Sequence, residues 1–203
     1  MKVTTHTKPF HYITIENLWS DKERKEMFDE IIMFEKKGIF LEPQNTNTAT
    51  DISNKPLKKN TGKFFDDIWL DRNASSVLKQ NTKLFDVFKS DEVKQSWYFK
   101  NLLFNSYSTL VSYYEDSDFY KSHIDNFVVT ALSWFFIEPK KFNGGEIIFS
   151  DYNLKFEVTN NLTIVFPSSI NHEVSKISLK KEDRDKGLGR FCMNQFLYHT
   201  NYG

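Results

Sequence analysis

From residue 101 to residue 198 the chain falls into short runs of Phe, Tyr, Val, Ile and Leu parted by turn residues, and that rhythm limits the fold more than any other feature. The runs lie at 101–115, 127–137, 145–149, 154–158, 162–166, 172–178 and 190–198. Aromatic and β-branched side chains suit a pleated, half-buried surface, and short strands spaced about ten residues apart predict an all-β sandwich or barrel. The turn at Asn143, Gly144 and Gly145 and the break at Pro167 punctuate the series. The first hundred residues read differently. Ser20 and Glu23 form a capping-box pair ahead of Met27, Phe28, Ile31, Ile32 and Phe34, which predicts an amphipathic helix over 21–37 ending near Gly38. A second helix is expected over 74–88, with Val77, Leu78, Leu84, Phe85 and Phe88 as its apolar face, and 10–18 alternates like an opening strand. Between them, 42–62 is a polar loop rich in Asn, Thr and Lys, with little apolar surface to bury. Loops of that length are functional or disordered, and this one is expected to be mobile without substrate and to border the functional mouth. The reading is mostly β with flanking helices. One domain of 203 residues suffices, with a helical support region over 1–100 and a catalytic β-core over 101–203.

Charge and cysteine content remove several classes of function. Lys plus Arg and Asp plus Glu both number 27, so no global basic field attracts nucleic acid or an anionic membrane, and neither partner is expected. Cys192 is the only cysteine, which excludes an internal disulfide and any cysteine-based metal site. It sits in the apolar run 190–198 and reads as a buried structural thiol. The chain has no stretch of about 18 apolar residues, and its start lacks the apolar core of a signal peptide, so a cytoplasmic location is expected.

Five histidines are present, at 6, 11, 123, 172 and 199. In an extended segment residues i and i+2 share a face, so His123 and Asp125 can offer a nitrogen and a carboxylate oxygen to one ion. His172 lies 47 residues beyond Asp125, after an apolar run and a turn. Two histidines and one carboxylate on a rigid β-scaffold form the facial triad of non-haem iron, which leaves coordination positions open. Zinc suits the same ligands, but no second carboxylate or Glu-x-x-His arrangement marks a hydrolase. Arg190 opens the last β-like run, and its planar fork matches a carboxylate.

The motifs also follow one another in a characteristic order. They run Tyr113, then Tyr120-x-x-His123-x-Asp125, Thr130-x-Leu132, Phe142-x-Gly144-Gly145-Glu146-x-x-Phe149, Pro167 and His172-Glu173-Val174, and finally Gly189-Arg190-Phe191. This order resembles the prolyl 4-hydroxylase-like family of Fe(II)- and 2-oxoglutarate-dependent oxygenases, over about residues 101–200. The resemblance implies a double-stranded β-helix, the jelly-roll or cupin-like barrel, with N-terminal helices packed outside. It implies iron on His123, Asp125 and His172, with Arg190 paired to the distal carboxylate of 2-oxoglutarate. Tyr113 and Asn194 fall where the family lines the cosubstrate pocket. In two places the chain departs from the pattern. Trp134 stands where members carry a tyrosine that helps hold the distal carboxylate, and an indole N–H donates but cannot accept. Also, 18 residues separate His172 from Arg190, more than is usual, and the charged stretch 178–187 reads as an extended hairpin tip that absorbs the excess. Arg184, within that tip, is the lesser candidate for the carboxylate.

The activity so implied is a dioxygenase that hydroxylates an unactivated C–H bond, using O2 and releasing succinate and CO2, with ascorbate as an in vitro reductant. By family analogy the substrate is a prolyl residue of a protein or peptide. A free amino acid or small metabolite is the alternative. A barrel that has lost turnover and serves as a binding module, and a zinc or manganese cupin-like enzyme, are the rivals from other classes. Fold does not fix substrate, so specificity is sought on the loops at 42–62 and 178–187.

Overall fold

The structure is a computed structural model and describes residues 1–200. It opens with two antiparallel strands, β1 (Lys2–His6) and β2 (Tyr12–Glu16), the second being the expected opening strand and the first unforeseen. Helix α1 (Asp21–Lys36) begins where the capping box puts it. The Ser20 hydroxyl accepts from the Glu23 N–H, and the Glu23 carboxylate accepts from the Ser20 N–H at 2.9 Å. After β3 (Thr61–Phe64) come α2 (Ser76–Gln80), α3 (Lys83–Phe88) and α4 (Trp97–Lys100). The single helix expected over 74–88 is thus two short ones. The chain turns at Asn81 and Thr82, whose side chains bond to Thr109 and to the Lys79 carbonyl, local bonding that competes with helix continuation.

The remaining strands are β4 (Ser106–Tyr114), β5 (Tyr120–His123), β6 (Val129–Phe135), β7 (Phe142–Asn143), β8 (Ile147–Phe149), β9 (Leu154–Phe156), β10 (Leu162–Pro167), β11 (His172–Val174), β12 (Ser178–Leu179) and β13 (Arg190–Tyr198). Each apolar run read as a strand contains one. A seven-stranded sheet in the order β1-β2-β10-β6-β13-β4-β3 faces a four-stranded sheet, β5-β11-β8-β9, while β7 pairs with β12. All these ladders are antiparallel, and two such sheets closed over one core make the double-stranded β-helix. The expected support region is more than helical, because β1, β2 and β3 extend the large sheet at both edges and pair strands that would otherwise end it.

The large sheet is covered on both faces, which explains why β6 and β13 read as nearly unbroken apolar runs. Odd-numbered Val111, Tyr113, Phe135, Phe191 and Met193 pack with Met27, Ile31 and Phe34 of α1. Even-numbered Tyr114, Leu132, Trp134, Phe166 and Cys192 pack with Ile147, Phe149 and Val174 of the small sheet. The parity of a residue in β4, β6, β10 or β13 therefore decides whether it supports the helices or faces the interior between the sheets.

The two long loops are built into this frame. Segment 42–62 carries a 3-10 turn at Pro43–Asn45 and a bridge between Thr50 and Pro56. It is bonded along β5, with Lys59 N–H donating to the Phe119 carbonyl at 3.0 Å and Lys121 N–H donating to the Leu57 carbonyl at 2.9 Å. Segment 178–187 starts in β12 and continues through a 3-10 turn at Lys181–Asp183 outside both sheets.

Candidate metal centre

Strands β5 and β11 pair with His123 directly opposite His172, so the small sheet itself presents the two imidazoles side by side. Asp125 follows just beyond β5. Its N–H donates to the Ser168 carbonyl at 3.0 Å, which brings its carboxylate under both rings. One Asp125 oxygen lies 3.6 Å from His123 Nε2 and the other 3.7 Å from His172 Nε2. The three ligand atoms all fall within 4.8 Å of one another. This His-Asp-His facial triad is the one expected from the sequence.

Each ligand is oriented by a partner of its own. His123 Nδ1 lies 2.8 Å from the Lys121 carbonyl and His172 Nδ1 lies 2.9 Å from the Ile170 carbonyl. Carbonyls only accept, so both Nδ1 atoms carry the proton and both Nε2 lone pairs face the centre. Burial, and then the neighbouring His172, pull His123 down to about 4, which keeps it a neutral donor. The Thr130 hydroxyl donates to Asp125 at 2.6 Å, and the Ser168 hydroxyl in turn bonds Thr130 at 2.8 Å. That chain fixes the carboxylate in place. Tyr120 stacks on His123, with ring centroids 3.6 Å apart and planes 13° from parallel.

The triad opens into a cavity of about 260 Å³ between the sheets. Arg190 lines it while only 1% exposed, with its guanidinium carbon 4.1 Å from the Tyr114 ring centroid. One guanidinium nitrogen donates to the Gly145 carbonyl, and the buried Nε has no partner. Among the described residues, no carboxylate pairs with this arginine. The Gly144–Gly145 turn lets the chain cross over it. Both glycines have positive φ, 79° and 78°, and a Cβ at Gly145 would press on Ile177 and on the Arg190 side chain. Arg184 lies elsewhere, paired with Asp116 at 3.1 Å outside the cavity.

Of the two residues expected to line the cosubstrate pocket, Asn194 lines this cavity and Tyr113 does not. Tyr113 has odd parity in β4 and packs against Phe191 on the helix side, where its hydroxyl bonds Glu115 and the Gly189 N–H. Tyr114, one residue on, faces the cavity in its place. Trp134 has the right parity but is fully buried in the core beside the cavity, with its indole N–H unpartnered. Sequence reasoning missed three further residues. Tyr120 and Ser168 belong to the ligand scaffold, and only the tyrosine was in a quoted motif. Lys58 lines the cavity from the 42–62 segment and is 5% exposed. Burial lowers its ammonium to about 8, with Asp125 opposing, so it is charged at neutral pH. Nothing in a polar stretch rich in lysine marked this one as interior.

No protein-family model matches the chain, and no curated protein matches it. Solved structures do. A Pseudomonas putida prolyl-4-hydroxylase aligns with TM-score 0.64 at 14% identity, over 94% of this chain and 93% of that one. A Trichoplax adhaerens prolyl hydroxylase, in complex with a hypoxia inducible factor oxygen degradation domain peptide fragment, aligns with TM-score 0.64 at 14% identity, over 92% and 83%. The viral collagen prolyl hydroxylase of Paramecium Bursaria Chlorella virus-1, in its 2OG complex, aligns with TM-score 0.59 at 15% identity, over 93% and 96%. At these identities the likeness is one of fold, the 2OG-Fe(II) oxygenase fold, and it is carried through nearly the whole chain.

Proposed function

We propose that this chain is an iron(II)- and 2-oxoglutarate-dependent hydroxylase in which His123, Asp125 and His172 hold the iron and Arg190 holds the distal carboxylate of 2-oxoglutarate. The observation that carries the reading is the pairing, in one cavity, of a convergent His-Asp-His set with a buried arginine that has no acidic partner. Both halves fit. Two neutral nitrogens and one anionic oxygen suit a first-row divalent ion and occupy one side of it. A buried guanidinium with an orphaned N–H suits a carboxylate brought in by a ligand. Bound together, iron(II) and 2-oxoglutarate activate dioxygen so that a C–H bond becomes C–OH while succinate and carbon dioxide leave.

The chain's own residues do the positioning. Thr130 and Ser168 keep Asp125 aimed, the backbone carbonyls of Lys121 and Ile170 fix the histidine tautomers, and Arg190 with Tyr114 and Asn194 shapes the cosubstrate end. A carboxylate at the third ligand position leaves no place there for a halide, which favours hydroxylation over halogenation. The leading substrate is a prolyl residue in a peptide, supported by the prolyl hydroxylases of like fold. The cavity is bordered by exposed Asn47, Ile124 and Asn126, an open rim suited to an extended chain.

The test is direct. Anaerobic addition of Fe(II) and 2-oxoglutarate should give the visible charge-transfer band of the chelate, and aerobic incubation with ascorbate should release succinate. Proline-containing peptides should gain one oxygen by mass. Protein that binds zinc in preference, shows no band and releases no succinate would overturn the reading.

A further inference from the structure

We infer that Lys58 recognises a carboxylate on the substrate, held beside the bond that is hydroxylated. The inference rests on the hydroxylase reading and names the chemistry of its substrate. Lys58 is 5% exposed, and its Nζ lies 5.5 Å from the centroid of the Tyr120 ring, which stacks on His123. No hydrogen bond or ion pair of its ammonium is found among the described residues, whereas the adjacent, exposed Lys59 reaches Asp118 at 3.3 Å. A lysine buried without an acid is costly, and an aromatic face offsets only part of that cost.

The backbone holds it there. Lys58 bridges to Tyr120 in β5, and its flanking residues Leu57 and Lys59 bond to Lys121 and Phe119 on either side of that tyrosine, so this side chain is built into the cavity wall. Arg190 comes from the large sheet and Lys58 from the segment along the small one, so the two buried cations stand on different walls of one cavity.

Charge makes the argument specific. In the loaded site the iron dication, the 2-oxoglutarate dianion, the Asp125 carboxylate and the two cations Arg190 and Lys58 sum to one positive charge. Lys58 is the cation of that set with neither an ion pair nor a proposed cosubstrate partner, and a single monoanion completes the set. A cavity of about 260 Å³ that also admits 2-oxoglutarate leaves room for a small group, and on substrates derived from amino acids that monoanion is a carboxylate. It can come from a free amino acid or from an acidic residue next to the target in a peptide.

The test uses full-length protein loaded anaerobically with Fe(II) and 2-oxoglutarate, with binding followed by calorimetry. One arm offers each free L-amino acid against its own amide. The other offers N-acetyl-prolyl dipeptide amides with Asp or Glu against those with Asn or Gln. At least one acid should bind about tenfold or more tightly than its neutral partner, the preference should vanish in Lys58→Met, and Lys58→Arg should restore most of it. Whichever arm shows the preference identifies the source of the carboxylate. Ligand-free Lys58→Met should also melt higher than the wild type, because it removes an unpaired buried charge, whereas a merely structural lysine would leave the variant less stable. Acids that bind no better than amides, or a preference that survives in Lys58→Met, would overturn the inference. So would loss of the charge-transfer band in that variant, since Lys58 would then serve the cosubstrate. A wild type that gives no band would instead sink the hydroxylase reading itself.

Discussion

Asp125 is the only anionic member of the triad, and its two oxygens approach both histidines at 3.6 and 3.7 Å. Asp125→Ala should therefore leave the fold intact but abolish iron retention and succinate release, measured by metal content and product assay. Unchanged turnover would reject the assignment. Arg190 is a different case, because it touches no ligand of the metal. Arg190→Ala should raise the 2-oxoglutarate requirement by more than tenfold, from about 2–5 kcal/mol of lost binding to a buried carboxylate, while iron affinity hardly changes. Arg184→Ala, outside the cavity, should do little, and the reverse pattern would move the pocket. These residues were legible because the order of the motifs along the chain resembles a known family, in which His123, Asp125, His172 and Arg190 each fall at a marked position. Tyr113 was misplaced by a single position, since a motif locates a tyrosine along the chain but does not show which of two adjacent ones faces inward. Lys58 was invisible, as nothing local distinguishes a lysine that solvates from one that is enclosed.

At the scale of elements, α1 shows how a helix end also makes a tertiary contact. Glu23 completes the capping box and is bonded by Lys83 of α3 at 2.6 Å. The Lys83 ammonium first, and then Ser20, hold the Glu23 carboxyl near 2, below its ordinary 4.5. Its contribution to stability is thus present in full above pH 4.5 and is lost as pH falls through 2. Denaturation of the wild type and Glu23→Gln should show a gap at neutral pH that closes over that acid range. Ser20→Ala should cost about 1 kcal/mol. The cap was readable because it is a local rule. The break of the second helix at Asn81 was not, because it depends on Thr109, distant in sequence. Strand β5 was missed for a related reason: Tyr120-Lys121-Ser122-His123 has little apolar content, and pairing with β11 makes it a strand. Tyr120 also ties β5 to the 42–62 segment, its hydroxyl accepting from the Ala49 N–H at 3.1 Å. Tyr120→Phe keeps the stack on His123 and loses that bond, so it should raise the substrate KM several-fold, for about 1 kcal/mol, and leave the 2-oxoglutarate KM nearly unchanged.

Across the whole molecule, the site draws its residues from both sheets. The triad comes from the small sheet and the residues just after β5, and Arg190 from the centre of the large one. A ligand that reaches both should brace the barrel. Iron and 2-oxoglutarate together should raise the melting temperature of the wild type, by about 2.7 kcal/mol of stability at a hundredfold excess over Kd, and should leave Asp125→Ala unmoved. The all-β architecture was legible because the strand rhythm is set by burial on both faces, whereas the role of β1, β2 and β3 depends on which edges need cover. The parity of β13 has a consequence for how such a chain can change its length over generations. One residue inserted between Phe191 and Tyr198, with the far end of the strand held in register, would turn Arg190 and Phe191 to the opposite faces, sending a guanidinium to the helix side and a phenyl ring into the cavity. An insertion of any size at 180–187, outside both sheets, leaves every alternation as it was. Insertional scanning should find the second stretch permissive and the first closed, so the barrel's growth in sequence is channelled into its least constrained turn.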